Sequence, residues 1–238
     1  MAVNLETDRP VDGRLRVRVP ARCLLCGVRG ASETGLCAAC ASELPRNDRH
    51  CARCALPMES PVPLCGRCIR RAPPWDSAWV PFRYAWPLDR LEARFKFGGD
   101  LAAGRVLAKA WCGSAAPADL PQAIVPVPLH RARLRSRGYN QSLELAGPLS
   151  KSLRIPLLRD GLRRTRATTA QSELTAVQRR RNVRGAFAAH FDGDVPRHVA
   201  VLDDVFTTGA TLTECARVLK RVGVERVDVW ALARAPMK

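Results

Sequence analysis

The feature that most constrains this chain is a cysteine pattern that occurs twice near its N-terminus. Four Cys-x-x-Cys pairs are present, ten residues separate the two pairs of each repeat, and corresponding cysteines lie 28 residues apart. A Cys-x-x-Cys turn directs two sulfur atoms at one point, and two such turns complete a tetrahedral site. The repeat predicts two metal sites, with these ligands: Cys23, Cys26, Cys37 and Cys40 for the first, and Cys51, Cys54, Cys65 and Cys68 for the second.

Zinc is the metal that four thiolates favour. Because all four positions are filled by cysteine, no position remains for water, so the two predicted zinc ions are structural rather than catalytic. Neither repeat has enough apolar residues to fold alone, so the metal would supply the folding free energy. Three alternatives stay open at this point: a cross-braced pairing in which the first and third pairs share an ion, an iron–sulfur cluster, and His50 as a substitute ligand.

The ten cysteines also raise the alternative of a disulfide framework in a secreted protein. Residues 1–21 mix charged residues with Pro and Gly and lack the apolar centre of a signal peptide. No stretch approaches the roughly 20 apolar residues that a membrane span needs. We therefore expect a cytoplasmic protein without a membrane span, with metal-bound cysteines and a flexible leader over residues 1–21.

The net charge points to a polyanionic partner. The formal charge is +17, from 39 Lys and Arg against 22 Asp and Glu. Two tetrathiolate zinc sites would remove about four of these positive charges. The remaining excess favours a phosphorylated metabolite or a nucleic acid as the ligand.

The sequence predicts a double zinc ribbon over residues 22–70, a linker over residues 71–80 that contains two prolines, and a second domain over residues 81–238. In the second domain, short apolar runs alternate with segments of helical periodicity, which indicates an α/β fold with a mostly parallel sheet flanked by helices. Predicted strands cover residues 81–86, 123–127, 155–158, 186–191, 198–202 and 227–233. Predicted helices cover residues 88–97, 101–112, 141–153 and 211–222.

The most informative segment of the second domain runs from residue 199 to residue 212. It is an apolar strand that ends in Asp203 and Asp204, followed by a small hydroxyl-rich loop and a helix. Backbone amides at a helix start bind anions, and paired carboxylates suit ribose hydroxyls, directly or through Mg²⁺. An unliganded strand, turn and helix is the alternative. The predicted anion-binding residues are Thr207, Thr208, Gly209, Ala210 and Thr211.

This segment resembles the phosphoribosyl pyrophosphate signature of type I phosphoribosyltransferases. The resemblance implies that Asp203 and Asp204 bind the ribose 2′ and 3′ hydroxyls and that residues 207–211 surround the 5′-phosphate. It also implies a pyrophosphate loop directly after the strand over residues 123–127, where Leu129 and His130 stand.

Basic segments extend the resemblance over nearly the whole chain. Residues 131–184 contain fourteen Lys and Arg against three Asp and Glu, and residues 137–142 read Arg-Gly-Tyr-Asn-Gln-Ser. Together with the ribbons, the phosphate loop and the spaced Arg, Thr, Gln, Leu and Asn of residues 163–184, they resemble the ComF (ComFC) family of competence proteins. The resemblance implies a phosphoribosyltransferase fold that binds phosphoribosyl pyrophosphate with Mg²⁺, and a link to the uptake of single-stranded DNA.

Three functions from different classes follow. The first is an enzyme in which an acceptor displaces pyrophosphate, with Arg133, Arg137 or an arginine of residues 163–184 stabilising the leaving group and that segment closing as a flap. The second is a regulator that binds the same donor without transfer. The third is an adaptor that grips single-stranded DNA and passes it to a helicase partner. The acceptor is not identified by any residue pattern.

Overall fold

The computed structural model describes residues 7–8, 16–17, 22–59, 63–166 and 176–236. Its contacts divide the chain into two compact units, Met1–Glu43 and Leu44–Lys238. Within the described part of the chain, every helix falls short of the length and apolarity needed to cross a bilayer.

The smaller unit contains the first cysteine repeat. Strands β1 (Thr7–Asp8) and β2 (Arg16–Val17) form an antiparallel pair. Helix α1 (Ala38–Ser42) begins after Cys37, whose sulfur atom accepts a hydrogen bond from the Cys40 amide. A cysteine therefore caps the helix that follows it, which keeps its sulfur atom close to the backbone of the second cysteine of the same pair.

The larger unit is an α/β structure. Its helices are α2 (Gly66–Arg70), α3 (Leu88–Phe97), α4 (Leu101–Cys112), α5 (Arg131–Arg137), α6 (Gln141–Leu153), α7 (Ala176–Val183) and α8 (Ala210–Arg221). Its strands are β3 (Ser77–Trp79), β4 (Phe82–Arg83), β5 (Ala123–Pro126), β6 (Leu162–Arg164), β7 (Phe187–Ala189), β8 (His198–Phe206) and β9 (Arg226–Arg234). The central sheet has the order β3-β9-β8-β5, with β4 also pairing with β9, and every pairing in it is parallel.

The two central strands carry the core. Eight consecutive residues of β9 are buried, which requires cover on both faces of the sheet. Helices α6 and α8 contact β8, and α4 packs against both α3 and α6. This arrangement confirms the predicted α/β class with a mostly parallel sheet flanked by helices.

Most predicted elements match the structure. The predicted helices over residues 88–97, 101–112 and 141–153 have the predicted bounds, and the Asp100 side chain caps α4 as expected. The sheet begins earlier than predicted, because β3 lies inside the segment predicted as a linker. The predicted strand over residues 155–158 reduces to one parallel bridge between Leu157 and Ile124, since Pro156 has no amide hydrogen to donate.

The predicted strand over residues 186–191 does not join the central sheet. Its ordered part, β7, pairs antiparallel with β6 in a separate two-stranded sheet. Periodicity reports how residues alternate along a strand but not which strand it pairs with. The two strands frame the segment that was predicted to act as a flap, and residues 167–175 of that segment lie outside the described residues.

The second cysteine repeat belongs to the hydrophobic core of the larger unit. All four of its cysteines are buried, and they share one cluster with Trp75 and Val80 of the chain that follows and with Phe206 at the end of β8. In the first repeat, by contrast, Cys26 is exposed and two of its partners are half-buried. The second repeat thus belongs to the same compact unit as the central sheet. The cysteine spacing did not indicate this.

Gly104 of α4 tests how tightly α3 and α4 pack. A Cβ atom at Gly104 would lie 2.4 Å from Cε2 of the fully buried Phe95. We expect Gly104→Ala to lower the free energy of unfolding by about 1–3 kcal/mol, although alanine favours helices more than glycine does. Gly113, at the C-terminal end of the same helix, has an ordinary φ of −80° and no Cβ contact closer than 3.6 Å. Gly113→Ala is the matched control, and urea denaturation should show it to be neutral or stabilising by up to about 1 kcal/mol.

Candidate functional site

The described part of the chain contains two clusters of metal-binding side chains, and each is one cysteine repeat. Within each cluster all four sulfur atoms lie within 4.8 Å of one another. The Sγ atoms of Cys26 and Cys37 are 3.7 Å apart, and those of Cys54 and Cys65 are also 3.7 Å apart. This grouping confirms consecutive pairing and excludes the cross-braced alternative.

The sulfur geometry fits zinc. Four sulfur atoms at about 2.3 Å from a tetrahedral zinc ion lie about 3.8 Å from one another, which matches the separations across the two knuckles of each cluster. His50 takes no part in either cluster, and its Nδ1 is hydrogen-bonded to the carbonyl of Asn47. With four thiolates each, both sites are closed and structural.

The second candidate site lies where β8 ends. Asp203 is half-buried and Asp204 is buried, and adjacent backbone and side-chain groups fix both carboxylates. Asp203 Oδ1 accepts hydrogen bonds from the Asp204 amide and from the Ser142 hydroxyl, each at 3.0 Å. Asp204 Oδ1 accepts one from the Val205 amide at 2.6 Å. The pair is therefore held in place before any ligand arrives.

Helix α3 supplies a cation and a third carboxyl to this pair. The Lys96 ammonium lies 2.8 Å from Asp204 Oδ2 and 3.7 Å from Glu92 Oε1. Glu92 is fully buried, and neither of its oxygens accepts a hydrogen bond from a described residue. One cation thus serves two carboxyl groups, of which that of Glu92 is fully buried.

The four ionisable side chains of this site, those of Glu92, Lys96, Asp203 and Asp204, shift one another's pKa. Burial, followed by the charge of Asp204, raises the pKa of Glu92 to about 8 and that of Asp203 to about 7. Burial opposes the ionisation of Asp204, but Lys96 outweighs it and lowers the pKa of Asp204. Burial also opposes the charge on Lys96, but Asp204 and then Glu92 raise the pKa of Lys96 overall. Near pH 7 the site therefore holds Lys96 and Asp204 as ions, with Glu92 protonated.

The predicted phosphate loop encloses a small concavity next to the carboxyl pair. It has a volume of about 30 Å³ and is lined by Asp203, Val205, Phe206, Thr207, Gly209, Ala210, Thr211 and Leu212. Thr208, the remaining predicted residue, accepts a 3.4 Å hydrogen bond from the Ala210 amide. The residues predicted to bind phosphate thus share one surface at the start of α8.

Gly209 is required in this loop for two reasons. Its φ of +75° is in the left-handed region, where side chains are strained. A Cβ atom there would also lie 2.8 Å from Cε2 of Phe206 and 3.2 Å from Cη2 of Trp75. The loop backbone therefore packs directly against two aromatic rings.

The predicted pyrophosphate loop follows the neighbouring strand. In the parallel ladder between β5 and β8, Pro126 pairs with Leu202, and the Val127 amide donates to the Leu202 carbonyl. The segments that follow the two strands therefore lie at the same edge of the sheet. Leu129 and His130 are half-buried just beyond, and the His130 ring caps α5. The structure thus brings Leu129 and His130 to the edge that carries Asp203.

Arginines from α5 and β6 add positive charge at this edge. Arg137 donates to Gln141 Oε1 at 3.0 Å, lies over the ring of Phe97 at 5.7 Å, and its charge contributes to the lowered pKa of Asp204. Burial, and then the charge of Arg137, lowers the pKa of Arg133. Burial, and then the charge of Arg133, lowers the pKa of Arg164. Two predicted arginines and one from the basic segment of residues 163–184 therefore act on one another.

Comparison with known proteins identifies the family. The model of the double zinc ribbon domain matches residues 15–69. Competence protein F of Haemophilus influenzae is 37% identical over 223 residues, which cover 90% of this chain and 97% of that protein. The chain belongs to the ComF family of competence proteins.

Two further relatives show how far this family extends. The DNA utilization protein YhgH of Escherichia coli K12 is 35% identical over 91% of this chain and 98% of that protein. Competence protein ComFC of Streptococcus pneumoniae is 25% identical over 64% of this chain and 66% of that protein. The resemblance inferred from the motifs is therefore confirmed at the level of the family.

The sequence did not indicate two residues of this candidate site. Glu92 and Lys96 stand four positions apart on α3, where the buried positions Leu88, Leu91 and Phe95 define an apolar face. A glutamate on that face was the available signal, because a buried carboxyl needs a partner. That its partner also contacts Asp204, more than one hundred residues along the chain, follows only from the tertiary structure.

Ligand substitution tests the zinc sites. Cys51→Ser removes one ligand from the second cluster, and we expect the purified chain to hold one zinc ion instead of two, as measured by plasma mass spectrometry. Cys112→Ser is the control, because Cys112 lies outside both clusters. It should retain two zinc ions, and two ions in the Cys51 variant would contradict the assignment.

Glu92 makes stability depend on pH. The raised pKa of Glu92 means that, between about pH 4.5 and pH 8, the folded chain keeps a proton that the unfolded chain has released. The free energy of unfolding therefore falls as pH rises through this window. Glu92→Gln resembles the protonated side chain. We expect it to leave stability at pH 5 nearly unchanged and to raise the free energy of unfolding at pH 9 by on the order of a few kcal/mol.

Denaturation curves at several pH values measure this effect. Glu144→Gln, on the exposed part of α6, is the control and should keep the pH dependence of the wild type. The assignment fails if both variants follow the wild-type curve from pH 5 to pH 9.

Proposed function

We propose that this chain binds phosphoribosyl pyrophosphate together with Mg²⁺ at the carboxyl end of β8 and that it acts in the uptake or use of DNA. The observation that carries the proposal is the direct succession of a fixed carboxyl pair, a concave threonine-rich loop and the start of a twelve-residue helix. In open parallel sheets, ligands bind at the carboxyl ends of the strands.

The loop suits a phosphate monoester. The first amides of α8 have no carbonyl partner inside the helix, and the helix dipole places partial positive charge at the same point. The concavity is the size of a small group rather than of a whole nucleotide. A 5′-phosphate would occupy it, and the hydroxyl groups of Thr207 and Thr211, which line it, would add hydrogen bonds.

The carboxyl pair suits the ribose hydroxyls next to that phosphate. Asp204 is ionised and accepts hydrogen bonds, whereas Asp203, with a pKa of about 7, accepts or donates. Because Lys96 holds Asp204 Oδ2 at 2.8 Å, it also keeps this carboxylate charged in the absence of ligand. The orientation and the charge of the carboxyl pair thus suit the two hydroxyl groups of a ribose before the ligand binds.

The carboxyl pair also fits Mg²⁺ that arrives with a diphosphate. Mg²⁺ commonly takes one or two carboxylates plus substrate phosphate oxygens, rather than a complete set of protein ligands. Among the described residues, the third carboxyl group near this pair is that of Glu92, and it faces Lys96. The described residues therefore do not supply a complete set of ligands at this point, which agrees with a metal ion shared with the ligand. When bound, the ion would neutralise charge on the diphosphate.

The transfer reaction needs positive charge where pyrophosphate departs. A nucleophile of the acceptor would form a bond to the anomeric carbon, the bond from that carbon to the pyrophosphate oxygen would break, and the electron pair would stay on pyrophosphate. Arg133 and Arg137 lie on α5, directly after the loop that contains Leu129 and His130. Their guanidinium groups would stabilise the developing charge, while Arg164 contributes from β6.

The role in DNA uptake rests on relatives, whose names refer to competence and to DNA utilization. We place this role in the cytoplasm, where cysteines stay reduced and bind metal. A second candidate function, an adaptor that holds single-stranded DNA for a helicase, is favoured by the exposed arginines of α5, Arg131 and Arg135. Such binding would be dominated by phosphate contacts and would weaken steeply with salt.

Calorimetric titration with phosphoribosyl pyrophosphate and Mg²⁺ tests the proposal. The wild type should bind, and the double variant Asp203→Asn/Asp204→Asn should lose on the order of 100-fold in affinity, because two charged hydrogen-bond acceptors are removed. Asp119→Asn is the matched control, since Asp119 is an exposed carboxylate that pairs with Arg226 at the opposite end of β9. It should bind as the wild type does.

The same proteins separate the alternatives. Pyrophosphate release in the presence of candidate acceptors indicates an enzyme, whereas donor binding without release across acceptors indicates a regulator. Single-stranded DNA binding, followed by fluorescence anisotropy at several salt concentrations, should survive in the double variant if the sites are separate. No heat of binding in the wild type would refute the proposed donor site.

A further inference from the structure

Arg234, the last residue of β9, is a buried guanidinium that joins two parts of the larger unit. It is 1% exposed. Its Nε donates to the carbonyl of Cys54, in the second cysteine cluster, at 3.0 Å. Its Nη1 donates to the carbonyls of Phe206 at 2.8 Å and Thr207 at 2.6 Å, at the entrance to the phosphate loop. One side chain thus spans from a metal-binding knuckle to the predicted anion site.

The charge of Arg234 needs a counter-charge. Among the residues that the structure describes, no carboxylate forms an ion pair with it, and its hydrogen bonds go to carbonyl oxygens. A zinc ion bound by four thiolates carries a net charge of about −2. The second cluster, whose Cys54 carbonyl Arg234 contacts, would supply the missing negative charge when it holds zinc.

Trp75 makes a second connection between the same two parts. Its Nε1 donates to the carbonyl of Arg53, between the two cysteines of the knuckle, and Arg53 Nε donates back to the Trp75 carbonyl at 3.1 Å. Its ring meets the edge of Phe206 at 5.6 Å between centroids and limits the space at Gly209. Hydrogen bonds therefore fix the ring on the knuckle side, and packing transmits its position to the loop.

We propose that the second zinc site positions the phosphate loop through Arg234 and Trp75, so that zinc retention at Cys51, Cys54, Cys65 and Cys68 and anion binding at the loop stabilise each other. In its ligand-dependent part, this inference rests on the proposed donor site. Arg234 is a positioning residue, since it would act on a ligand only through the backbone carbonyls of the loop to which it donates hydrogen bonds. Because coupling between two binding free energies is reciprocal, a ligand at the loop must tighten zinc binding at the second cluster, and we expect this to slow the loss of zinc.

The first cluster is an internal reference for this coupling. It belongs to the other compact unit, Met1–Glu43, and its cysteines are absent from the core that contains Arg234's partners. Alkylation of cysteines by N-ethylmaleimide, followed over time and located by peptide mass spectrometry, reports zinc loss at each cluster separately. The full-length, zinc-loaded chain is compared with and without saturating phosphoribosyl pyrophosphate and Mg²⁺.

We expect the ligand to slow alkylation of the second cluster about fivefold or more in the wild type and to leave the first cluster unchanged. Arg234→Lys keeps a positive charge but has one donor centre, which does not reach both the knuckle and the loop. In this variant the ligand should slow the second cluster by less than about twofold. Arg226→Lys, at the other end of the same strand, is the matched control and should behave as the wild type does.

A measurement without ligand keeps the inference separate from the proposed function. In zinc-loaded Arg234→Lys, hydrogen exchange of the amides of residues 207–212 should be faster than in the wild type and in Arg226→Lys. Exchange in α6, which Arg234 does not contact through any described hydrogen bond, should be unchanged.

The outcomes are distinct. If calorimetry shows no binding of phosphoribosyl pyrophosphate, the proposed function fails, and the hydrogen exchange of residues 207–212 alone decides the coupling. Unchanged exchange there in Arg234→Lys overturns it. If the ligand binds at saturation but slows neither cluster, or slows both equally, the coupling is also overturned.

Discussion

The parallel pairing of β8 with β9 is the constraint on which the rest of the structure depends. The ladder runs from His198 opposite Arg226 to Phe206 opposite Arg234, so that both strands end at one edge of the sheet. This register places the carboxyl pair of β8 and the guanidinium of β9 on neighbouring strands. Because both strands are buried on two faces, a one-residue shift in register would exchange the side chains that pack against the helices on the two faces, which disfavours other registers.

Charges at this edge are stabilised by opposite charges or by backbone carbonyl oxygens that the fold brings to them. Lys96 is shared between Asp204 and Glu92, and Arg234 bonds to carbonyl oxygens next to the second cysteine cluster. Each arrangement would be unfavourable alone, because burial penalises an ion that has no partner. A site that keeps such groups together before binding a ligand needs little rearrangement when the ligand arrives. This pre-organisation is what connects the fold to the proposed donor binding.

Local patterns allowed much of the fold and of the candidate site to be predicted. Helices α3, α4 and α6 were predicted with their observed bounds, since their caps and periodicity are properties of neighbouring residues. The proposed phosphate loop was predicted from the same kind of local pattern. Strand β3 and the reduction of the predicted strand over residues 155–158 to a single bridge at Leu157 were not predicted, because short edge pairings are decided by what lies beside them. The proposed roles of Asp203, Asp204 and the loop residues stay predictions.

The sequence by itself determined the eight cysteine ligands, the α/β class and the family, because cysteine spacing, strand–helix alternation and short motifs act over a few residues. Only the tertiary structure decided that the second cysteine repeat joins the core of the sheet and that Lys96 pairs with Asp204. It likewise decided that Arg234 donates hydrogen bonds both to the carbonyl of Cys54, 180 residues earlier in the chain, and to carbonyls at the start of the proposed phosphate loop. Such contacts depend on how separate elements pack, and no local pattern encodes the partner of a buried charge.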